Sequence, residues 1–250
     1  MRKYNVQVWL YTRYFVKVML DNVSVLLYTV GLPILFLGLN LKSYFFKTVS
    51  LAQYTKLVLP FIAWIIVANT MVMVSEVALL REQGYLKQYA SLVVNPSVFI
   101  ISKAVVNLML VGVILGLVAA VSALLFRVAF VAVLWRLWSV LLLVSVPIWG
   151  YCLPILSFRL RYQTVSGIIN VVTLVVMIGS VAIGHALHLT ITNVAANVLS
   201  PVYLVMNCFN VLVIGDWRNF LPGYLVACLG LGLVGWLSYR HLQLLPAEGL

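Results

Sequence analysis

The chain has 250 residues, of which 64% are hydrophobic and only 8% are charged. A soluble domain carries about three times that share of charged residues, so this composition excludes a soluble globular protein and indicates a protein that lies in a lipid bilayer. The formal net charge of +11 would suggest a nucleic-acid partner in a soluble protein. Here, basic residues that flank membrane spans and contact anionic lipid account for the charge without nucleic acid.

The first 20 residues have the pattern of an amphipathic helix. Lys3 and Arg13 fall on one side of a helical wheel, and Tyr4 and Phe15 fall on the other. This pattern predicts an interfacial helix over residues 1–20 that lies in the cytoplasmic headgroup plane. The alternative is that these residues simply extend the first membrane span.

Charged residues divide residues 21–250, which we predict to be a single transmembrane domain, into apolar runs. Most runs have about 20 uncharged residues, which is the length that an α-helix needs to cross the hydrocarbon core. The run between Arg161 and Asp216 has 54 uncharged residues, which is too long for one span. Its second half is rich in Asn, Thr and Ser and contains Pro201, so we expect an external hairpin of half-helices that dips into the membrane. The predicted spans are 22–41, 57–77, 100–126, 137–158, 162–185 and 219–239.

The distribution of lysine and arginine predicts the orientation of the chain. With the N-terminus inside, ten basic residues lie on the cytoplasmic side and six lie outside, which is the bias of the positive-inside rule. Counting seven spans instead of six gives the same tally, so charge leaves that alternative open. The predicted location is the cell membrane, the inner membrane in bacteria, with both termini in the cytoplasm.

The second cytoplasmic loop carries the most informative residues. Residues 82–92 can form a short amphipathic helix that ends before the following proline. A helix at the base of two spans suits docking into a groove of a cytoplasmic partner, and a solvated connector is the alternative. Glu76, at the inner end of the second span, is near enough to pair with Arg81 or Lys103. Alternatively, Glu76 is a helix-end charge that snorkels to the interface.

Polar or aromatic side chains on otherwise apolar spans are candidates to line a transport pathway. These residues are Tyr28, Trp64, Asn69, Asn170 and Thr173. Hydrogen bonding between helices, or placement at the lipid interface, is the alternative interpretation of the same residues. In the third span, Gly112-x3-Gly116 would permit close packing of helices.

The sequence lacks the motifs of common enzymes. It contains no phosphate-binding loop of the G-x-x-x-x-G-K-[ST] type, no H-E-x-x-H and no G-x-S-x-G. The three histidines lack the Cys or carboxylate cluster of a metal site. His185 and His188 share a helix face at the predicted outer mouth, where wetted interfacial histidines are a simpler interpretation than a proton relay. We therefore expect a chain that is not an enzyme and that binds no metal or cofactor itself.

Two stretches of the sequence resemble the permeases of type-2 ABC exporters. The first stretch comprises Tyr54-x5-Pro60, Arg81-Glu82-Gln83-Gly84, Asn95-Pro96 and Lys103. It has the spacing of that family's Arg-Glu-x-Gly-Thr-(Leu)-Glu segment, Thr-Pro pair and Gly-Lys pair. The second stretch, Leu199-Ser200-Pro201-Val202-Tyr203, is similar to the family's Asn/Ser-Pro segment. Tyr85, Lys87 and Asn95 depart from the family pattern, where Thr, Glu and Thr are usual.

The resemblance implies an all-α membrane protein with six transmembrane helices. It also implies an N-terminal amphipathic interfacial helix, a cytoplasmic coupling helix at 81–97 and external re-entrant half-helices at 190–215. The implied ATPase-coupling residues are Arg81, Glu82, Gln83, Gly84, Tyr85, Lys87, Pro96 and Lys103. By its position, and not by the resemblance, Glu76 is a candidate for a coupling ion pair. The implied re-entrant residues are Ser200, Pro201 and Tyr203.

The resemblance also implies partners. A second permease, identical or paralogous, would form the substrate pathway with this chain, and two separate ABC ATPase subunits would bind ATP and Mg²⁺. A secondary transporter or channel subunit is an alternative function, although it would need ionisable residues inside the membrane, and the spans carry none apart from the histidines. A non-transporting membrane assembly or immunity factor is a second alternative. Lipid-linked glycans, drugs and small peptides all fit as substrates.

Overall fold

The computed structural model describes residues 2–21, 31, 34–85, 93, 95, 97–158 and 160–241. These residues form helices joined by short turns, and no β-strand occurs among them. The helices are α1 (Arg2–Asp21), α2 (Leu51–Leu57), α3 (Leu59–Glu82), α4 (Ser97–Phe126), α5 (Phe130–Cys152), α6 (Tyr162–Ala186), α7 (Val194–Leu199), α8 (Pro201–Ile214) and α9 (Trp217–Arg240). Residues 34–41 are also helical, and 3₁₀ turns lie at Lys42–Tyr44 and Leu153–Ser157.

Five of the described helices are long and apolar enough to cross a membrane. They are Leu59–Glu82, Ser97–Phe126, Phe130–Ser157, Tyr162–Gly184 and Trp217–Arg240. The chain is therefore all-helical in its described part and has the character of a multi-pass membrane protein. The predicted first span, 22–41, lies mostly outside the described residues.

One helix boundary differs clearly from the prediction. We expected the fourth span to begin after Arg136, whereas α5 begins at Phe130. The guanidinium of Arg136 donates hydrogen bonds to the carbonyl oxygens of Ala132, at 2.9 Å, and Leu212, at 3.3 Å. These carbonyl oxygens accept hydrogen bonds from the guanidinium inside the protein. Arg136 can therefore lie within α5 and does not mark the residue where the helix begins.

The helix α3 lies at the centre of the bundle. In the most apolar 18-residue stretch of α3, 72% is buried inside the protein, whereas 17% is buried in the corresponding stretch of α9. A capping box of Ser50 and Gln53 starts α2, and Pro60 then occupies the first turn of α3, where a missing backbone N–H costs nothing. Tyr54 on α2 is fully buried, and its Oη atom lies 3.0 Å from Ser122 Oγ on α4.

The helices α5 and α9 run side by side in the same direction. Tyr224 Oη donates to the carbonyl oxygen of Leu143 at 2.7 Å, and the helices come closest at Gly150. A Cβ at Gly150 would lie 2.2 Å from the carbonyl oxygen of Leu231. By contrast, a Cβ at either glycine of the predicted Gly112-x3-Gly116 packing motif would only reach leucine side chains at 3.9 Å, which is ordinary contact.

The helices α7 and α8 form a hairpin that turns at Ser200 and Pro201. The Oγ atom of Ser200 accepts the backbone N–H of Tyr203, and Pro201 occupies the first position of α8. The helix α8 packs against α3 and α5, with Leu204 and Phe209 fully buried. This polar stretch of the sequence therefore lies among other helices.

The helix α1 packs against α4. Tyr4 Oη lies 2.9 Å from Ser97 Oγ, and Ser102 Oγ donates to the carbonyl oxygen of Val8 at 3.0 Å. The rings of Phe15 and Phe99 meet edge to face, with centroids 5.2 Å apart. The opposite face of α1 exposes Trp9, and its placement in the headgroup plane stays a prediction.

Candidate functional site

One end of the bundle brings together charged residues from separate parts of the sequence. The end of α3, the first turns of α4, and the connection from α5 to α6 meet there. We call Glu76, Arg81, Glu82, Lys103 and residues 156–158 and 160–162 the elbow. Arg81, Glu82 and Lys103 of the elbow are among the residues that the family resemblance assigns to ATPase coupling.

Arg81 is buried inside the elbow, at 3% exposure. Its guanidinium donates hydrogen bonds to three backbone carbonyl oxygens of the α5–α6 connection. The acceptors are Leu156 at 3.1 Å, Phe158 at 3.0 Å and Leu160 at 2.8 Å. A planar guanidinium with five N–H donors is the side chain best suited to gather several carbonyls at once. The guanidinium of Arg81 is therefore engaged within the chain, and its assignment to ATPase coupling stays a prediction.

Glu82 is exposed and also joins α3 to α6. Its carboxylate accepts the backbone N–H of Tyr162, the first residue of α6, at 2.5 Å. A carboxylate at a helix N-terminus satisfies a backbone donor that has no partner within the helix and interacts favourably with the helix dipole. Glu82 therefore combines a structural bond with a solvent-facing position.

Glu76 and Lys103 form an ion pair between α3 and α4. Lys103 Nζ lies 2.5 Å from Glu76 Oε2, and Lys103 is the more buried partner. The ammonium group also lies 4.5 Å from the ring centroid of Phe15 on α1. Of the two partners that the sequence allowed for Glu76, the structure selects Lys103, because Arg81 points toward the α5–α6 connection.

The remaining predicted coupling residues follow the end of α3. Gln83 is exposed, and Gly84 has the left-handed φ of 75° that ends many helices. Tyr85 is half exposed. Lys87 and Pro96 lie outside the described residues, as does most of the predicted coupling helix.

The predicted pathway residues are distributed over several surfaces. Trp64 is half-buried beside Phe36, with ring centroids 5.8 Å apart, and Asn69 donates to the carbonyl oxygen of Ile65 in its own helix. On α6, Asn170 is exposed and Thr173 is buried. Tyr28 lies outside the described residues. These positions do not converge on a single cavity among those the structure describes.

The predicted re-entrant residues do converge. Ser200 Oγ lies 2.6 Å from Ser180 Oγ on α6, and Tyr203 packs directly over Gly184. Val202, Tyr203 and Met206 of α8 line a cavity of about 400 Å³ together with Ser180 and Gly184 of α6, and His188 also borders it.

Some buried polar contacts have no signal in the sequence. Tyr151 on α5 donates to the carbonyl oxygen of Val198 on α7, and Asn107 Nδ2 donates to Thr70 Oγ1 at 3.2 Å. Such partners are far apart in the chain, so no local motif marks them. Among the described residues, no group of three or more His, Cys, Asp or Glu side chains could hold a metal ion.

No protein-family model, curated protein or solved structure matches this chain.

Proposed function

We propose that this chain is the membrane-spanning permease subunit of an ATP-driven ABC exporter. It works with a second permease copy or paralogue and takes its energy from two separate ATPase subunits that bind ATP and Mg²⁺. The observation that carries the proposal is the elbow, where Arg81 and Glu82 fasten the end of α3 to the start of α6.

The elbow suits the transmission of force from a cytoplasmic partner. A displacement applied at the exposed Glu82 reaches α3 through the backbone and α6 through the bond to Tyr162. The Glu76–Lys103 pair extends the same connection to α4. Charge-assisted hydrogen bonds resist separation more strongly than neutral ones, so these three helices would move together.

The ends of α4 support the proposed six-span topology. Tyr4 contacts Ser97 at the first residue of α4, whereas the backbone N–H of Phe46 donates to the carbonyl oxygen of Leu125 in its last turn. The chain between Tyr4 and Phe46 thus connects opposite ends of a 30-residue helix. One further crossing at residues 22–41 is the simplest path for that connection.

The hairpin of α7 and α8 supports the proposed re-entrant region. The side chain of Ser200 at its turn contacts α6, and the carbonyl oxygen of Val198 on α7 accepts a hydrogen bond from α5, so these parts of the hairpin contact protein. Non-helical backbone at membrane depth needs such shielding from lipid. The exposed apolar faces of α6 and α9 would then face lipid or the second permease copy.

The test of the proposal compares two substitutions at Glu82. Glu82→Gln keeps an oxygen that can accept the N–H of Tyr162 and removes the charge, whereas Glu82→Ala removes both. If the charge engages the ATPase, both variants should hydrolyse ATP in the assembled complex while vesicle transport falls about tenfold or more. If only the bond to α6 matters, Glu82→Gln should transport like the wild type. Unchanged transport in Glu82→Ala would contradict the assignment.

Purification from the native membrane separates the exporter from the other classes. The tagged full chain should retain a companion polypeptide that contains a phosphate-binding loop, together with vanadate-sensitive ATP hydrolysis. Deleting residues 86–92 should release the companion without unfolding the membrane helices. Ion-driven transport by the purified chain alone would favour a secondary transporter, and stable folding with neither companion nor transport would favour a scaffold.

A further inference from the structure

A polar cavity lies between the α7–α8 hairpin and the first turns of α9. It has a volume of about 120 Å³, which is room for a small ion and several water molecules. Besides Tyr224, whose hydroxyl donates to Leu143, its polar lining consists of Thr192, Asn197, Asn207, Asn210, Asp216 and Asn219. It lies at the opposite end of the bundle from the elbow.

Two buried amide oxygens of this lining lack a protein partner. Asn197 and Asn207 are 4% and 6% exposed, and within the described part of the chain neither Oδ1 accepts a hydrogen bond. The orientation of Asn197 is fixed, because its Nδ2 donates to the carbonyl oxygens of Ile191, at 3.2 Å, and Asn193, at 2.8 Å. A buried acceptor that is held in place without a protein donor is available to a water molecule or a cation.

The cavity also contains a carboxylate. Asp216 caps α9, and its carboxylate accepts the side-chain amide of Asn219 at 2.9 Å. The amide and hydroxyl groups of the lining can accept as well as donate hydrogen bonds. The C-terminus of α8 and the N-terminus of α9 both border the cavity, so their opposite helix-dipole ends largely offset each other. None of the described residues that line the cavity is basic.

We propose that this cavity binds a small cation, either a metal ion with oxygen ligands or a primary ammonium group. Amide oxygens and a carboxylate are the ligands that hard metal ions prefer, and they are equally good acceptors for an ammonium group. An anion would meet the formal negative charge of Asp216. The inference does not depend on the exporter function, because it uses no residue of the elbow.

Thermal unfolding of the purified full-length protein in detergent tests the proposal. Sodium, calcium and ethylammonium chlorides are titrated separately against choline chloride at constant ionic strength. Choline, which carries no N–H donor and is larger, serves as the reference cation. We expect a saturable rise in Tm with at least one of the three salts, and the salt that produces it identifies the class of cation.

Substitutions of residues that line the cavity test whether the rise in Tm comes from a cation bound there. Asp216→Asn keeps a good helix cap and removes the charge, and Asn207→Leu removes one acceptor without a large change in volume. Each should raise the cation concentration needed for half of the Tm shift by about tenfold or more. Asn69→Leu, a matched change of a buried asparagine on α3, should respond as the wild type does.

Two results would overturn the proposal. An equal Tm in all four salts would mean that water alone occupies the cavity. A cation-dependent rise that persists unchanged in Asp216→Asn would place the ion elsewhere. If Asn207→Leu fails to fold, Asp216→Asn still decides the question, because Asp216 is exposed and its substitution keeps the cap.

Discussion

At the scale of single residues, the charges that lie inside this protein are used as connectors between helices. Arg81 is the clearest case, because one guanidinium satisfies three carbonyls of a connection that makes a 3₁₀ turn and then extends. The sequence places Arg81 near a loop and so suggests a solvent-facing residue. Its burial depends on α5 and α6 meeting beside it, which no local pattern reveals.

We predict that Arg81→Met destabilises the folded protein. The substitution keeps much of the apolar stem but leaves three buried carbonyl oxygens without their donor, which should cost on the order of 3 kcal/mol. The free energy of unfolding, measured by chemical denaturation in detergent micelles, checks this. Arg13→Met, at an exposed position of α1, should change it by less than about 0.5 kcal/mol. Equal effects of the two substitutions would contradict the connector role.

The Glu76–Lys103 pair should show coupling in a double-mutant cycle. Either Glu76→Gln or Lys103→Met alone leaves a partly buried charge unpaired, whereas the double variant leaves none. We expect the double variant to be less destabilised than the sum of the singles by about 1–2 kcal/mol. Lys103→Met combined with Arg218→Gln, at the other end of the bundle, should be additive, and additivity in both cycles would mean that the ion pair contributes little.

At the scale of helices, close approach of α5 and α9 depends on a glycine that no sequence motif marked. The i, i+4 glycine pair of α4 meets only leucine side chains, whereas Gly150 meets backbone. The reason is geometric, because a Cβ on one helix matters only where the neighbouring axis comes nearest. That point is set by the crossing of two helices and not by spacing within one.

Gly150→Ala should therefore be far more damaging than an alanine elsewhere on the same pair of helices. Its Cβ would overlap the backbone of Leu231, so the helices must separate, at a cost of about 3 kcal/mol or more. Gly230→Ala, which meets no atom within 4 Å, should be neutral or stabilising by up to about 1 kcal/mol. Thermal unfolding of both variants measures the difference, and a well-folded Gly150→Ala would show that the crossing is looser than described.

At the scale of the whole molecule, the two ends of the bundle should face opposite sides of the membrane. In a background where Cys152, Cys208 and Cys228 are replaced by Ala, single cysteines can report this. Asn5→Cys and Gln83→Cys should react with an impermeant thiol reagent from one side only, and Lys47→Cys and Arg218→Cys from the other. The proposed orientation places the first two in the cytoplasm.

The same labelling tests the span count. If Asn5→Cys and Lys47→Cys react from the same side, residues 22–41 do not cross and the six-span proposal is wrong. If Gln83→Cys reacts from the exterior, the elbow cannot meet a cytoplasmic ATPase and the exporter proposal is wrong. Reactivity of each cysteine after detergent permeabilisation serves as the control for accessibility.

The sequence by itself determined that this is a helical membrane protein and where most of its long helices lie. A charge in hydrocarbon costs several kcal/mol, so the spacing of charged residues records span length directly. The five described spans follow that spacing, apart from the early start of α5 at a satisfied Arg136. The polar composition of 190–215 also indicated a segment unsuited to lipid, and the structure places α8 among other helices.

Only the tertiary structure decided which polar groups meet. It selected Lys103 as the partner of Glu76, buried Arg81 under the α5–α6 connection, and turned Asn197 and Asn207 toward one cavity. These choices depend on which helices pack together and at what angle. In a chain whose spans are nearly all apolar, many packings satisfy the same composition, and a few specific hydrogen bonds and glycine contacts select among them.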